Sequence, residues 1–165
     1  MRIFAIVLLS LLVTVGAVLV PTMWFNLRDL REAETAARAA VAEAKRLAPD
    51  LLSYDYRTIE EDLARAGTFT TGELTEHYKE LTRTLVSRAK EQKIVQSVTV
   101  AAAGVERAKP GKVEVLLFVN TGTVKEIPGK EGLQQEFTQN RARFVMVRQD
   151  SRWLVAGLST LLGTA

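Results

Sequence analysis

The sequence predicts an α+β fold in which three helices pack on a four-stranded antiparallel sheet, preceded by a transmembrane helix. Three observations predict it. An uncharged apolar run opens the chain, helical-period stripes follow through its middle, and β-rich stretches of period two fill the rest. Helices first and strands second argue α+β, with the helices covering one face of one sheet.

The apolar run is IFAIVLLSLLVTVGAVLVPTMWF, Ile3 to Phe25, 23 residues without a charge. At about 1.5 Å per residue it is long enough to cross a hydrocarbon core of about 30 Å with some tilt. A cleavable signal peptide is the rival, with Val15-Gly16-Ala17 as its cleavage site. The hydrophobic run continues through Val18, Leu19 and Val20, the basic n-region is only Arg2, and Trp24-Phe25 fit an interfacial aromatic belt. Residues 1–25 are therefore expected to be an uncleaved single-pass anchor, and 26–165 the folded domain. Arg2 on one side and Arg28 and Arg31 on the other leave the orientation undecided by charge.

After the anchor, Leu27, Leu30, Glu34, Ala37, Val41, Ala44 and Ala48 alternate spacings of three and four, predicting a long Ala-rich helix over 27–48. Its seam of alanines is shallow and suits packing on the protein's own sheet. Thr58 and Glu61 match a capping box ahead of a short helix closed by Gly67, and Thr70 and Glu73 match a second. The helix behind that second box carries one stripe, Leu74, Tyr78, Leu81 and Leu85.

Four β-rich stretches follow: IVQSVTVAAAGVE, VEVLLFVN, QEFTQNRARFVMVR and RWLVAGLST. Lys109-Pro110-Gly111 joins the first two as a hairpin and Asp150-Ser151 joins the last two. In the third, Phe137, Gln139, Arg141 and Arg143 share a mostly polar face opposite Ala142, Phe144 and Met146. Thr121 to Leu133, with Gly122, Pro128 and Gly129, reads as a long loop.

Composition removes much chemistry. The chain has 165 residues, 47% hydrophobic and 25% charged, enough for one domain with a core. There is no cysteine and one histidine, His77, which excludes disulfides, thiol catalysis and Cys- or His-cluster metal sites. The net charge of +3 is spread along the chain without aromatic-basic interleaving, so nucleic-acid binding is not expected. No cofactor is expected either.

Several pieces resemble one family. They are the Ala-rich helix after the anchor, LLSYDYRTIEEDLARAGTFTTGEL, and Tyr78 on the following helix. VTVAAAGVERAKPGKVEVLLFVN and the closing RFVMVRQDSRWLVAGL, with Trp153 after the final hairpin, complete the set. Together they resemble the Mce-associated membrane proteins (Mam) of actinobacteria, which carry an NTF2-like domain behind one anchor. The resemblance implies an NTF2-like cone on the extracytoplasmic side of the cell membrane. It also implies a non-catalytic accessory role in an Mce-type lipid-import complex, with transporter subunits or other envelope membrane proteins and membrane lipid as partners. It supplies no catalytic residues. Two other functions fit such a fold: a scaffold in a secretion or conjugation machine, and a pocket for a lipid or steroid-like ligand.

Any pocket chemistry would draw on Tyr54, Tyr56 and His77, with Asp55 as base. Adjacent residues point different ways, so at most two of Tyr54, Asp55 and Tyr56 can share a pocket. Packing explains the same residues more simply, with a tyrosine in a helix corner, Asp55 capping or solvated, and His77 at the edge of an apolar stripe. Trp153 is expected in the core. Arg28, Arg31 and Arg38 offer a contact to anionic lipid headgroups, but Asp29, Glu32 and Glu34 offset most of their charge, so a solvated face is expected.

Overall fold

The computed structural model describes the backbone of residues 2–129 and 132–161, and the side chains of 27–129 and 132–160. Helix α1 runs Arg2–Leu52, followed by strand β1 (Tyr54–Asp55) and helices α2 (Ile59–Gly67) and α3 (Glu73–Glu91). Strands β2 (Val95–Lys109), β3 (Lys112–Glu126), β4 (Leu133–Gln149) and β5 (Arg152–Leu161) complete the chain. All pairings between these strands are antiparallel and the sheet order is β1-β2-β3-β4-β5.

The sheet has five strands where four were expected. The additional β1 is two residues long, Tyr54 opposite Gln96 and Asp55 opposite Val95. Two residues cannot display a period-two pattern, so pairing with β2 alone defines this strand. The supposed loop from Thr121 to Leu133 is also mostly strand. Pairing runs from Lys112↔Val147 out to Glu126↔Leu133. Its turn residues are confined to the tip, where Gly129 and Gly132 adopt φ of 82° and 78°. The two expected hairpins form at Pro110-Gly111 and Asp150-Ser151, with Gly111 at φ 74° and Asp150 at φ 54°.

The long helix passes the expected end at Ala48 and includes Pro49. Its last turn is closed by Ser53 N–H donating to the Pro49 carbonyl at 2.9 Å, and buried Leu51 anchors it. Its buried stripe is Ala37, Ala40, Ala44, Leu47, Ala48 and Leu51, while Leu27 and Leu30 are exposed. The predicted seam thus starts a few turns too early, at exposed Leu27, Leu30 and Glu34, but from Ala37 through Ala44 and Ala48 it is the contact face. The alanines let α1 lie close on β2 and β3, whose inward Val98, Val113, Val115, Leu117 and Val119 are all buried. Inward Ala142, Phe144 and Met146 of β4 and Val155 of β5 continue this core. Trp153 is buried as expected.

Neither capping box forms. Thr58 occupies the N-cap of α2 without a side-chain cap bond, and its hydroxyl donates to Asp62 Oδ2 at 3.0 Å. The same oxygen accepts the Asp55 backbone N–H at 3.1 Å, so Asp62 reaches back where Glu61 was expected to. At α3 the N-cap is Gly72, at φ 64°. Thr70 is instead spent on closing α2, donating to the Gly67 carbonyl at 2.8 Å. Its backbone segment then zips onto β5, through Val155 N–H to the Phe69 carbonyl and Thr71 N–H to the Val155 carbonyl, at 2.9 and 3.0 Å.

Among the described residues no helix is long and apolar enough to cross a membrane. Ile3 to Phe25, on which the anchor expectation rests, form the first half of α1 in backbone, and their side chains lie outside the described residues.

Candidate functional site

The concave face of the sheet changes character along its length. Inward positions of β3 are apolar from Val113 to Val119, then turn polar at Thr121, Thr123 and Lys125. β4 answers with Asn140, Thr138 and Glu136 after the apolar Ala142. Helix α1 covers the apolar half, whereas α3 stands over the polar half without sealing it. Two connected grooves result.

The first, about 390 Å³, runs between the end of α1, α2, α3 and the strand residues Leu158 to Thr160. Its apolar wall is Leu63, Leu74, Leu81 and Leu85. Leu81 and Leu85 are only half-buried, which is why the apolar stripe of α3 ends as a groove wall and not as core. The second, about 310 Å³, is the polar mouth, lined by Arg88, Gln92, Gln96 and the inward threonines, with a Lys125–Glu136 ion pair at 3.2 Å across its floor. Tyr54, Leu85 and Gln96 line both. The cone is therefore open, apolar within and polar at its mouth.

Of the sequence-level candidates, Tyr54 and His77 border the same first groove, and Tyr56 borders neither. Tyr54 is half-buried at the junction. Burial pushes its hydroxyl pKa up, and the nearby Arg88 opposes this. His77 is exposed at the rim. Tyr56 is half-buried beneath the Arg57 guanidinium, which stacks 5.6 Å from its ring centroid.

Asp55 faces away from the grooves into a closed local pair. Its carboxylate accepts the Arg57 Nε–H and the Arg57 backbone N–H, both at 2.9 Å. The side-chain bond to Arg57, then the backbone bond, hold its pKa below the ordinary carboxylate value. A base so occupied is poorly placed for proton abstraction. Tyr78 is committed as well. Its hydroxyl donates to the Leu51 carbonyl at 2.8 Å, and burial pushes its pKa up to about 12.

Sequence reasoning missed Gln96 and Arg88. Gln96 Nε2 donates to the Leu52 carbonyl at 2.6 Å, tying the groove junction to the end of α1. Neither residue sits in a motif, and only strand pairing and the α3 crossing bring them to the mouth. Among the described residues no group of three or more Asp, Glu or His side chains is placed to hold a metal ion.

Comparison with known proteins gives the fold its relatives. The crystal structure of an IcmL-like type IV secretion system protein from Legionella pneumophila aligns with TM-score 0.56 at 8% identity, covering 73% of this chain and 88% of that one. The Agrobacterium tumefaciens VirB8 structure aligns with TM-score 0.53 at 15% identity, covering 76% and 93%. At such identities the likeness concerns fold alone, three helices on an antiparallel sheet. By sequence, the chain is 34% identical over 154 residues to the Mycobacterium tuberculosis outer membrane protein Rv1973, covering 90% of this chain and 88% of that one. A family model described as uncharacterized protein Rv1363c/MT1408-like matches residues 1–153. The chain belongs to the Rv1363c/MT1408-like family.

Proposed function

We propose that this chain is a non-catalytic scaffold subunit of a multiprotein assembly in the cell envelope. In this reading the apolar start of α1 anchors it in the membrane and the domain stands on the extracytoplasmic side. One observation carries the reading. α1 is a single helix from Arg2 to Leu52, and its C-terminal half is a wall of the domain's core. A helix of that length spans about 75 Å at 1.5 Å per residue. An anchor built into the core fixes the height and rotation of the domain, which positions surfaces for neighbours and does little for turnover of a diffusing substrate.

The secretion-machine type of scaffold is favoured by the IcmL-like and VirB8 fold likenesses, and an envelope location by the name of the Rv1973 relative. The commitment of Asp55 to Arg57 and of Tyr78 to Leu51 supports the non-catalytic part. An Mce-type lipid importer is the second candidate assembly. It is favoured by the resemblance of the Leu51-to-Leu74 segment and of the closing hairpin with Trp153.

The test is purification of the full chain from its native membrane in mild detergent, with co-eluting proteins and lipids identified by mass spectrometry. Envelope subunits in fixed ratio are expected, and their identity separates secretion-type from lipid-import machinery. A chain that elutes alone with a stoichiometric small lipid would overturn the scaffold reading in favour of a ligand-binding cone.

A further inference from the structure

A third groove, about 490 Å³, lies far from the cone mouth, where the first described turns of α1 pass the β2–β3 hairpin and the start of β5. Arg28, Arg31, Glu32 and Arg148 line it together with Leu27 and Trp153. Three arginines against one glutamate leave the lining at +2. The helix arginines are not equivalent. Arg28 is paired with Glu32 at 2.9 Å, and Arg38, outside the groove, with Glu34 at 3.3 Å. Arg31 and Arg148, 117 positions apart in sequence, line the same groove and have no carboxylate within ion-pair distance among the described residues.

The position of the groove adds a second, independent argument. Arg28 follows Phe25, the last residue of the uncharged run, by three residues, and Arg31 by six. On a continuous helix those steps are about 4.5 and 9 Å along the axis. The headgroup layer of a bilayer is about 5–7 Å thick on each side of the hydrocarbon. Arg28 and Arg31 therefore fall at the outer rim of that layer, and the apolar Leu27 and Trp153 line the same groove.

We propose that this groove binds the phosphate headgroup of an anionic membrane phospholipid. Arg31 and Arg148 hold the phosphodiester through charge-assisted hydrogen bonds, and Leu27 and Trp153 take the glycerol and first methylenes of the chains. The proposal rests on the anchored reading given above. Its consequence is that a bound lipid clamps the β2–β3 hairpin against α1 and sets how the domain leans on the membrane.

The test uses the full chain carrying Trp24→Phe, so that Trp153 is the sole indole, in a neutral detergent. Short-chain phosphatidylglycerol, short-chain phosphatidylcholine and inorganic phosphate are titrated separately while Trp153 emission is followed. Phosphatidylglycerol should give a saturable shift, at least about tenfold tighter than phosphatidylcholine, and Arg31→Gln with Arg148→Gln should weaken it about tenfold or more. The double variant should keep the parent melting temperature, since neither arginine has an ion pair to lose among the described residues. Equal response to both lipids, or a response unchanged in the double variant, overturns the proposal. Binding of inorganic phosphate as tight as phosphatidylglycerol also overturns it, in favour of a free-anion site. Carbonate extraction of native membranes separates the two readings. Release of the chain with lipid binding intact would remove the anchor and leave the groove, whereas retention without lipid binding would remove the groove alone.

Discussion

The Tyr78 hydroxyl donates a hydrogen bond to the carbonyl oxygen of Leu51 at 2.8 Å, joining α3 to the last turn of α1. The Leu51 carbonyl is among the terminal helix acceptors that have no partner within α1. A side chain 27 positions later supplies the partner, in a buried setting. The bond therefore caps one helix with another and holds the apolar groove at a set width.

Tyr78→Phe leaves that carbonyl unsatisfied at almost unchanged volume. The expected cost is about 1–2 kcal/mol, seen as a lower midpoint in urea unfolding without a change in slope. Alkaline pH adds an independent readout. The folded pKa of about 12 lies above the ordinary 10, so the native state keeps its proton where the unfolded chain has lost it. Stability from this group is complete below pH 10 and is lost as pH rises through about 12, some 2–3 kcal/mol in all. The alkaline decline should be shallower in the phenylalanine variant.

Asp62 should matter more than either residue of the expected capping box. It accepts from Asp55 N–H and Thr58 Oγ and pairs with Arg65 at 2.7 Å. Asp62→Ala should cost about 1–2 kcal/mol, whereas Glu61→Ala should stay within about 0.5 kcal/mol. Thermal melts of the two variants under identical conditions check the order.

The alanine stripe of α1 should resist enlargement. Ala44 is fully buried against the sheet, and Ala44→Leu should cost about 1–3 kcal/mol by forcing α1 outward. Ala39→Leu, on an exposed position of the same helix, should stay within about 0.5 kcal/mol. Comparable effects at both positions would contradict the close α1–sheet approach.

Arg143 and Glu106 form a two-point pair on the outer face of the sheet, Nε and Nη2 at 2.6 and 2.7 Å from the carboxylate oxygens. Both side chains are more than one-third exposed, so solvent screens the pair. A double-mutant cycle should return about 0.5–1 kcal/mol of coupling, falling at high salt.

The elements readable from sequence were those whose signal is local. The alternation Val113, Val115, Leu117, Val119 and its answer in Ala142, Phe144, Met146 place β3 and β4 with their inward faces. Pro110-Gly111 and Asp150-Ser151 place two turns because Gly111 and Asp150 accept positive φ. The unread parts depend on partners far along the chain. β1 exists because Tyr54 and Asp55 meet Gln96 and Val95, and the strand ends past Thr121 exist because each edge supplies hydrogen bonds to the other. The polar pattern there resembled a loop since its inward face lines an open mouth and not a core.

The candidate site divides the same way. Tyr54 and His77 were nameable from sequence as pocket residues, but nothing local distinguishes them from Tyr56, which borders neither groove of the cone. Asp55 was nameable too, and only its bond to Arg57 removes it as a base. By itself the sequence determined the fold class, the helix-then-strand order, the uncharged run and the absence of cysteine and clustered histidine, because periodicity and composition are carried by neighbours. Tertiary structure alone decided where α1 stops, which acid of α2 reaches back to Asp55 and Thr58, and that Arg148 and Arg31 line one groove, because those relationships are set by strand register and helix docking across the whole chain.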